Sequence, residues 1–469
     1  MINAYIYSDL NIKNGMIIPC CFLYFTIPLS YAEIVVDKNA PLHQQPGVSS
    51  IYIKWSEAHC KALDANCRGA NYTAINIQTP NEQGVSHNKY VKFDVIKGAG
   101  YDKVSLNNFL ASSATGNPNL TTVSAKVILN EVTSGNKSLL NGELIVAGEK
   151  AHVIIANPAG ISCDGCYFSN IDYVTLTTGL PVFNGEGQLG GYQVSSGVID
   201  IGTRGLKHND SDDSYLDLFA HSLRVGGEVR SSDILAIIGK NRISYASING
   251  TVNIKSLAGA SSGNKDNLGV DVSHLGGMYA NKIFVFSRNS GIKNSGVIYA
   301  ENKVVISSNR FIKNNHGKIS SGNVTLRSLA LIDNQQGTIR NIKPYPVANT
   351  EEKLGIKIKG GILNNKEGYI HSNIGDVLMT ADNNFYNSGG LIKTVGSYGH
   401  ADIKIKAKLV NNFNGVVITS NNILINTDSL KNNQGRVVSA FGTVTLRYKT
   451  LEDTTGVLHG GMGVKKTIK

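Results

Sequence analysis

The sequence predicts an all-β chain, a right-handed parallel β-helix with short loops or hairpins inserted between its strands. Composition is the first observation: 50 Gly, a single Trp, only 17% charged residues and many Val, Ile, Asn, Ser and Thr favour strands and turns over helices. The second is local period. Segments alternate apolar and polar for four to six residues and stop at Gly or Asn, as in Gly322-Asn-Val-Thr-Leu-Arg327 and Gly442-Thr-Val-Thr-Leu-Arg447. The third is a repeat. Asn-x-x-Gly, followed by a short run with Ile or Val, recurs at Asn314, Asn334, Asn365, Asn387, Asn412 and Asn432, and a degenerate copy begins at Asp453. Successive glycines, Gly317 to Gly456, are 20, 31, 22, 25, 20 and 21 residues apart.

A β repeat of about 20 residues cannot bury its own apolar face, whereas stacked coils cover one another. The stack predicts that the repeat asparagines pair their side-chain amides from coil to coil. It also predicts that the glycine three residues on takes a left-handed turn conformation. The spacing of 31 implies an insert over residues 341–354, and that of 25 a smaller one near residues 396–399. Propeller blades need a period near 40, which the sequence does not show. About 430 residues after the N-terminal segment would make roughly 20 coils, a rod near 100 Å at about 4.8 Å per coil.

Residues 1–32 read as an export signal. Lys13 precedes an apolar run from Met16 to Leu29, and Ser30-Tyr31-Ala32 resembles a small-x-small cleavage site. No later stretch reaches the roughly 18 apolar residues of a membrane span, so the chain is expected not to be an integral helical membrane protein. Cys20 and Cys21 lie in the signal. The remaining Cys60, Cys67, Cys163 and Cys166 allow three pairings, and their spacing suggests Cys60–Cys67 and Cys163–Cys166.

Cys163-Asp-Gly-Cys166 has redox or zinc readings as well. A low-pKa thiol needs a helix N-terminus, and zinc needs two further ligands; the sequence offers neither, so a structural disulfide is expected. The acidic run at Asp210, Asp212 and Asp213 lacks the glycine and terminal Glu of a calcium loop. A β-helical polysaccharide lyase would need a carboxylate-plus-Arg groove, for which no pattern appears. The expectation is therefore no catalytic residue, no cofactor and no metal. The excess of 45 Lys+Arg over 34 Asp+Glu is compatible with acidic glycans, but no dense basic run exists, and no nucleic-acid partner is expected.

Several ordered segments of the N-terminal half carry a resemblance. They are NIQTPNEQGVSHNKYVKFDV (residues 76–95), GNPNL (116–120), AKVILNEV (125–132), VAGEKAHVIIANPAGISCDGCYFSN (146–170), VTLTTGLP from Val174 and LGGMYANKI from Leu275. Together they resemble the secretion domain of the filamentous haemagglutinin family, which includes adhesins, haemolysins and contact-dependent inhibition toxins. The resemblance implies a two-partner secretion exoprotein, carried through the periplasm of a Gram-negative bacterium. A partner outer-membrane β-barrel transporter with periplasmic domains would then pass it to the cell surface or medium. It implies a signal at 1–32, a secretion domain over 33–290 and shaft repeats over 291–469. His87 matches the family pattern and is expected to be structural.

The family's two marker motifs fall at Asn117-Pro118-Asn119-Leu120 and at Asn157-Pro158-Ala159-Gly160, where Ala159 replaces the usual Asn. The resemblance implies that Asn117, Pro118, Asn119, Leu120, Asn157, Pro158 and Gly160 form the surface read by the transporter. The residues themselves read as turns that cap coils, and both readings stand at this point. The function implied is that of an adhesin or haemagglutinin-like protein meeting a host or bacterial surface receptor or glycan. The alternative is the N-terminal part of a contact-dependent toxin or haemolysin.

Overall fold

The computed structural model describes residues 33–54, 69–96, 103–208, 213–245, 252–257, 267–342, 355–396 and 401–469. The export signal, Cys60, Cys67, Asp210 and Asp212 lie outside these residues, as does most of both predicted inserts. The described chain is strand throughout apart from one 3-10 turn at Leu42–Gln44. Its strands stack in parallel register into a right-handed β-helix of three faces. Each coil runs through face one (Lys318–Ser321, for example), face two (Asn323–Ser328) and face three (Leu331–Asp333). Each face pairs with the same face one coil on: Ile319 with Ile339, Val324 with Ile356, and Ile332 with Leu363.

Alternation explains what is inside. In Gly355–Gly360 the isoleucines Ile356 and Ile358 are buried while Lys357 and Lys359 are exposed. Each shaft coil contributes inward side chains from its three faces, such as Ile370, Val377, Met379 and Phe385, all at most 2% exposed. A single apolar core from Ile75 to Leu446 results. The N-terminal end of that core is closed by antiparallel strands. Ile34–Val36 lies against Tyr90–Phe93, and Gly47–Lys54 pairs with Gly69–Asn76.

The predicted amide stack forms. Asn294 Nδ2 donates to Asn314 Oδ1 at 2.7 Å, Asn314 to Asn334 at 2.7 Å, and the series continues through Asn365, Asn387, Asn412 and Asn432 at 2.8 Å each. It ends where Asn432 donates to Asp453 Oδ1 at 2.7 Å.

The turn chemistry differs from expectation. The left-handed residue is the one before the glycine: His316, Gln336, Glu367, Asn414 and Gln434 have φ between 51° and 61°. The glycine is required for space instead. A Cβ on Gly337 would stand 1.9 Å from the carbonyl oxygen of Asn314 in the coil beneath, and one on Gly390 2.1 Å from that of Asn365.

The coil count also differs. Among the described residues face two has fifteen parallel strands, from Val85–Phe93 to Val464–Ile468, and face one has as many, from Gly69–Asn76 to Val457–Gly460. The rod is therefore about 70 Å long at the ordinary strand spacing, not 100 Å. The missing coils are accounted for by chain that leaves the helix. Hairpin strands Leu180–Phe183 and Leu189–Val194, and Asn241–Tyr245 and Val252–Ser256, join as one four-stranded antiparallel sheet. This sheet lies over the outside of face two and closes a second core that includes Leu129, Ile154, Tyr192, Phe219, Ile237 and Ile243.

Candidate recognition site

Both Asn-Pro motifs build the same turn at different corners. Asn117 follows the strand Lys103–Asn108 of face one. Its Oδ1 accepts the Asn119 N–H at 3.0 Å, and its carbonyl accepts the Leu120 N–H at 3.0 Å. Its amide donates to the carbonyls of Ile77 and Asn107, both at 2.9 Å. Asn117 and Leu120 are fully buried; Pro118 is exposed. Asn119 donates to the Ile77 carbonyl at 3.1 Å, and its own carbonyl accepts the Thr79 hydroxyl at 2.7 Å. The motif therefore ties the second coil to the capped first one.

Asn157 stands between Ala156 of face two and Ile161 of face three. Its Oδ1 accepts the Ala159 N–H at 2.9 Å, and its carbonyl accepts the Gly160 N–H at 3.0 Å. Its amide donates to the Asn136 carbonyl and the Ser138 hydroxyl, each at 2.9 Å. Gly160 has φ +119°, and a Cβ there would also come within 3.0 Å of the Val198 carbonyl. The turn closes without a side chain from Ala159, so the substitution leaves its geometry unchanged. Asn157 is fully buried and Pro158 half-buried. In this fold the two asparagines position the turns, and what solvent meets is Pro118, Asn119, Pro158 and Ala159.

Cys163 and Cys166 form a disulfide with Cα atoms 5.4 Å apart. It closes the corner between face three and face one, with both cysteines at most 2% exposed. A strand, Cys166–Ser169, follows it. Outside the corner Asp164 accepts the Arg204 backbone N–H at 2.8 Å and pairs with its guanidinium at 3.0 Å. The backbone bond first, then the guanidinium, holds its carboxyl below the usual range. Among the described residues no three His, Cys, Asp or Glu side chains are grouped as metal ligands.

Sequence reasoning missed two features. His87 lines a polar cleft of about 580 Å³ between the N-terminal cap, face two and the hairpin residue Phe183. Its Nδ1 accepts from the Gln44 amide at 3.1 Å, which leaves Nε2–H to bond Glu131 at 2.6 Å. The second is Asp217, buried beneath the antiparallel sheet, where it accepts from the Tyr173 hydroxyl at 2.6 Å. Burial pushes its carboxyl up to about 7. The runs VILNEV, HVIIA and DILAII, apolar on both strand faces, were the available signal for a second buried surface.

A capped β-helix carrying two buried Asn-Pro turns and a covering hairpin sheet defines the class: a secretion domain continuous with a shaft. The model of the TPS secretion domain matches residues 60–321, and the chain belongs to that family, the exoproteins of two-partner secretion. Among curated relatives it is 39% identical over 269 residues to the toxin CdiA of Yersinia pestis and 36% over 273 residues to that of Escherichia coli. Each alignment covers 56% of this chain but only 7% and 8% of those proteins. Among solved structures, a filamentous hemagglutinin secretion domain matches 90% of this chain and 99% of its own, at 21% identity and a TM-score of 0.44. The HMW1 secretion domain of Haemophilus influenzae matches the same shares at 13% identity and a TM-score of 0.33. Membership implies a partner outer-membrane transporter and a secreted or cell-surface exoprotein of a Gram-negative bacterium. No helix of the described residues is long and apolar enough to cross a membrane.

Proposed function

We propose that this exoprotein acts at the cell surface as an adhesin-like shaft, by binding and without catalysis of its own. The observation that supports the reading is continuity: the matched secretion domain, which already holds the first ladder residues Asn294 and Asn314, runs into the later coils through unbroken parallel pairing beyond residue 321. Asp217, whose ionisation is far from ordinary, is sealed at 3% exposure beneath the antiparallel sheet, which fits a role in packing rather than turnover. In the same reading the transporter meets the turns at Pro118 and Pro158 and the surfaces beside them, with Asn117 and Asn157 holding those turns in place. The receptor would be a host or bacterial surface molecule or glycan.

The similarity to CdiA toxins favours a second reading, in which this chain is the secretion and shaft portion of a contact-dependent inhibition system. Co-expression with a cognate two-partner secretion transporter tests what the readings share, and absence of the chain from surface and medium would sink both. Adherence of displaying cells to host cells, in the absence of any killing of bacterial neighbours, supports the first. Growth arrest of neighbours lacking an immunity protein supports the second.

A further inference from the structure

Cations far apart in the sequence are brought together by the coil period. On the outside of face two, Arg327, Lys359, Lys406 and Arg447 share one column; Thr380 and Asn426 are the residues between them. The adjacent column carries Lys357, Lys404 and Lys465, with Leu378 between the first two and Leu424 and Thr445 between the last two. All seven cations are exposed. Only Lys404 meets carboxylates, Asp402 at 3.2 Å and Asp376 at 3.8 Å; the other six have no ion-pair partner among the described residues. No outward position of these two columns is acidic or aromatic. The carboxylates that meet Lys404 stand in the next outward position of the same face, where Asp376 begins its strand. Face one carries Lys318, Arg340, Lys393 and Arg436 without three cations in a two-coil repeat, and face three is mixed, as where Lys431 pairs with Glu452. The six cations without an ion-pair partner repel one another and contribute nothing to the fold, so the arrangement calls for an anionic partner.

We propose that face two of the shaft binds a linear acidic polysaccharide lying along the helix axis, its anionic groups meeting Lys359, Lys406 and Arg447. These three cations are spaced two coils apart, about 10 Å at the ordinary strand spacing. Two sugar rings of an extended chain cover the same span, so the pattern fits one charge per disaccharide. Leu378, half-buried between Lys357 and Lys404, and Leu424, half-buried beside Lys404, offer apolar contact to the C–H faces of the rings. Single-stranded nucleic acid fits less well, because it is held by aromatic platforms for its bases, which these columns lack. The proposal names a ligand for the adhesin reading above and rests on that reading only for the setting. Purified chain is used in the test, so failure to bind and failure to be exported are read separately.

The measurement is binding of hyaluronan oligosaccharides, which carry one carboxylate per disaccharide, to the 469-residue chain at low salt. Dextran is the neutral control and single-stranded DNA the rival. The variant Lys359→Glu/Lys406→Glu/Arg447→Glu is compared with Lys318→Glu/Lys366→Glu/Arg436→Glu, which changes net charge equally on other parts of the coils. Circular dichroism and melting confirm that both fold. The expected result is hyaluronan binding that weakens with salt, falls at least tenfold in the face-two variant and stays within twofold in the other. Equal losses in both variants, no hyaluronan binding by the unmodified chain, or tighter binding of the DNA would each overturn the proposal.

Discussion

One column of residues runs the length of face three's last position and divides the molecule in two. From the N-terminal side it reads Leu140, Cys163, Ile201, Val225 and Val272; from Asn294 onward it reads Asn at every coil until Asp453. The first stretch is held by apolar packing and, at Cys163, by a disulfide. The second is held by amides that each donate upward and accept from below. The same division appears on face two. In the N-terminal coils its outer side is apolar and covered by the antiparallel sheet, whereas in the shaft it is polar and open. The comparison teaches that one coil geometry supports two stabilising strategies. A doubly buried sheet permits irregular coils with long excursions, and a singly buried one depends on a strict corner residue.

The largest expected effect breaks the first strategy alone. Phe219→Ala empties the second core and should cost about 4 kcal/mol. Hydrogen exchange should then show lost protection in Leu189–Val194 and Asn241–Tyr245 while Val416–Thr419 stays protected; equal loss in the shaft would mean the two regions are not separable. Asn387→Asp breaks the second strategy. An ionised Asp cannot donate to Asn412 and leaves that carbonyl oxygen unsatisfied beside a buried charge, at a cost of about 3 kcal/mol near neutral pH. Melting at acidic pH should recover part of the loss, because a protonated Asp can donate again. No recovery would show that the ladder's direction is unimportant.

A smaller effect concerns pH in the N-terminal region. Asp217 has a folded pKa of about 7, above the ordinary carboxylate value. Its contribution is therefore complete below about pH 4 and is lost as pH rises through 7. His152, stacked on Tyr173 at 4.0 Å, is pushed down by burial, so its contribution is lost as pH falls below its ordinary value. The two slopes oppose each other in the acidic range. Asp217→Asn should abolish the decline in melting temperature between pH 6 and 8, and an unchanged decline would place its origin elsewhere. The smallest effect sharpens the turn. Gln434 sits at φ 58°, a conformation Asn tolerates better, so Gln434→Asn should raise stability by about 0.5 kcal/mol. A fall in melting temperature would show that the glutamine side chain matters more than its backbone.

Much of the shaft was legible because its corner needs two things that only particular residues supply: an amide that both donates and accepts, and a residue without a Cβ. Asn-x-x-Gly states both. The left-handed residue was not legible, since His316, Gln336 and Glu367 carry no local sign of positive φ; stacking imposes it. The antiparallel sheet was hidden because NRISY and VNIKS alternate as coil strands do, and nothing local says that they leave the helix. The coil count failed for the same reason. The motif asparagines were legible as turns, but their burial depends on carbonyls of Ile77 and Asn136, which lie 40 and 21 residues away.

The hydrogen bond from Asn334 to Asn365 bridges 31 residues at 2.8 Å, the same length as the one from Asn412 to Asn432 across 20. The rise of the rod is thus indifferent to how much chain is spent between successive corners. Peptide grafted between Ile342 and Gly355 would be carried sideways without lengthening the rod. Whole coils could be duplicated or deleted so long as each returns an amide to the seam. Such a scaffold separates reach from cargo: the number of corners sets how far the protein extends, and the segments between them are free to vary.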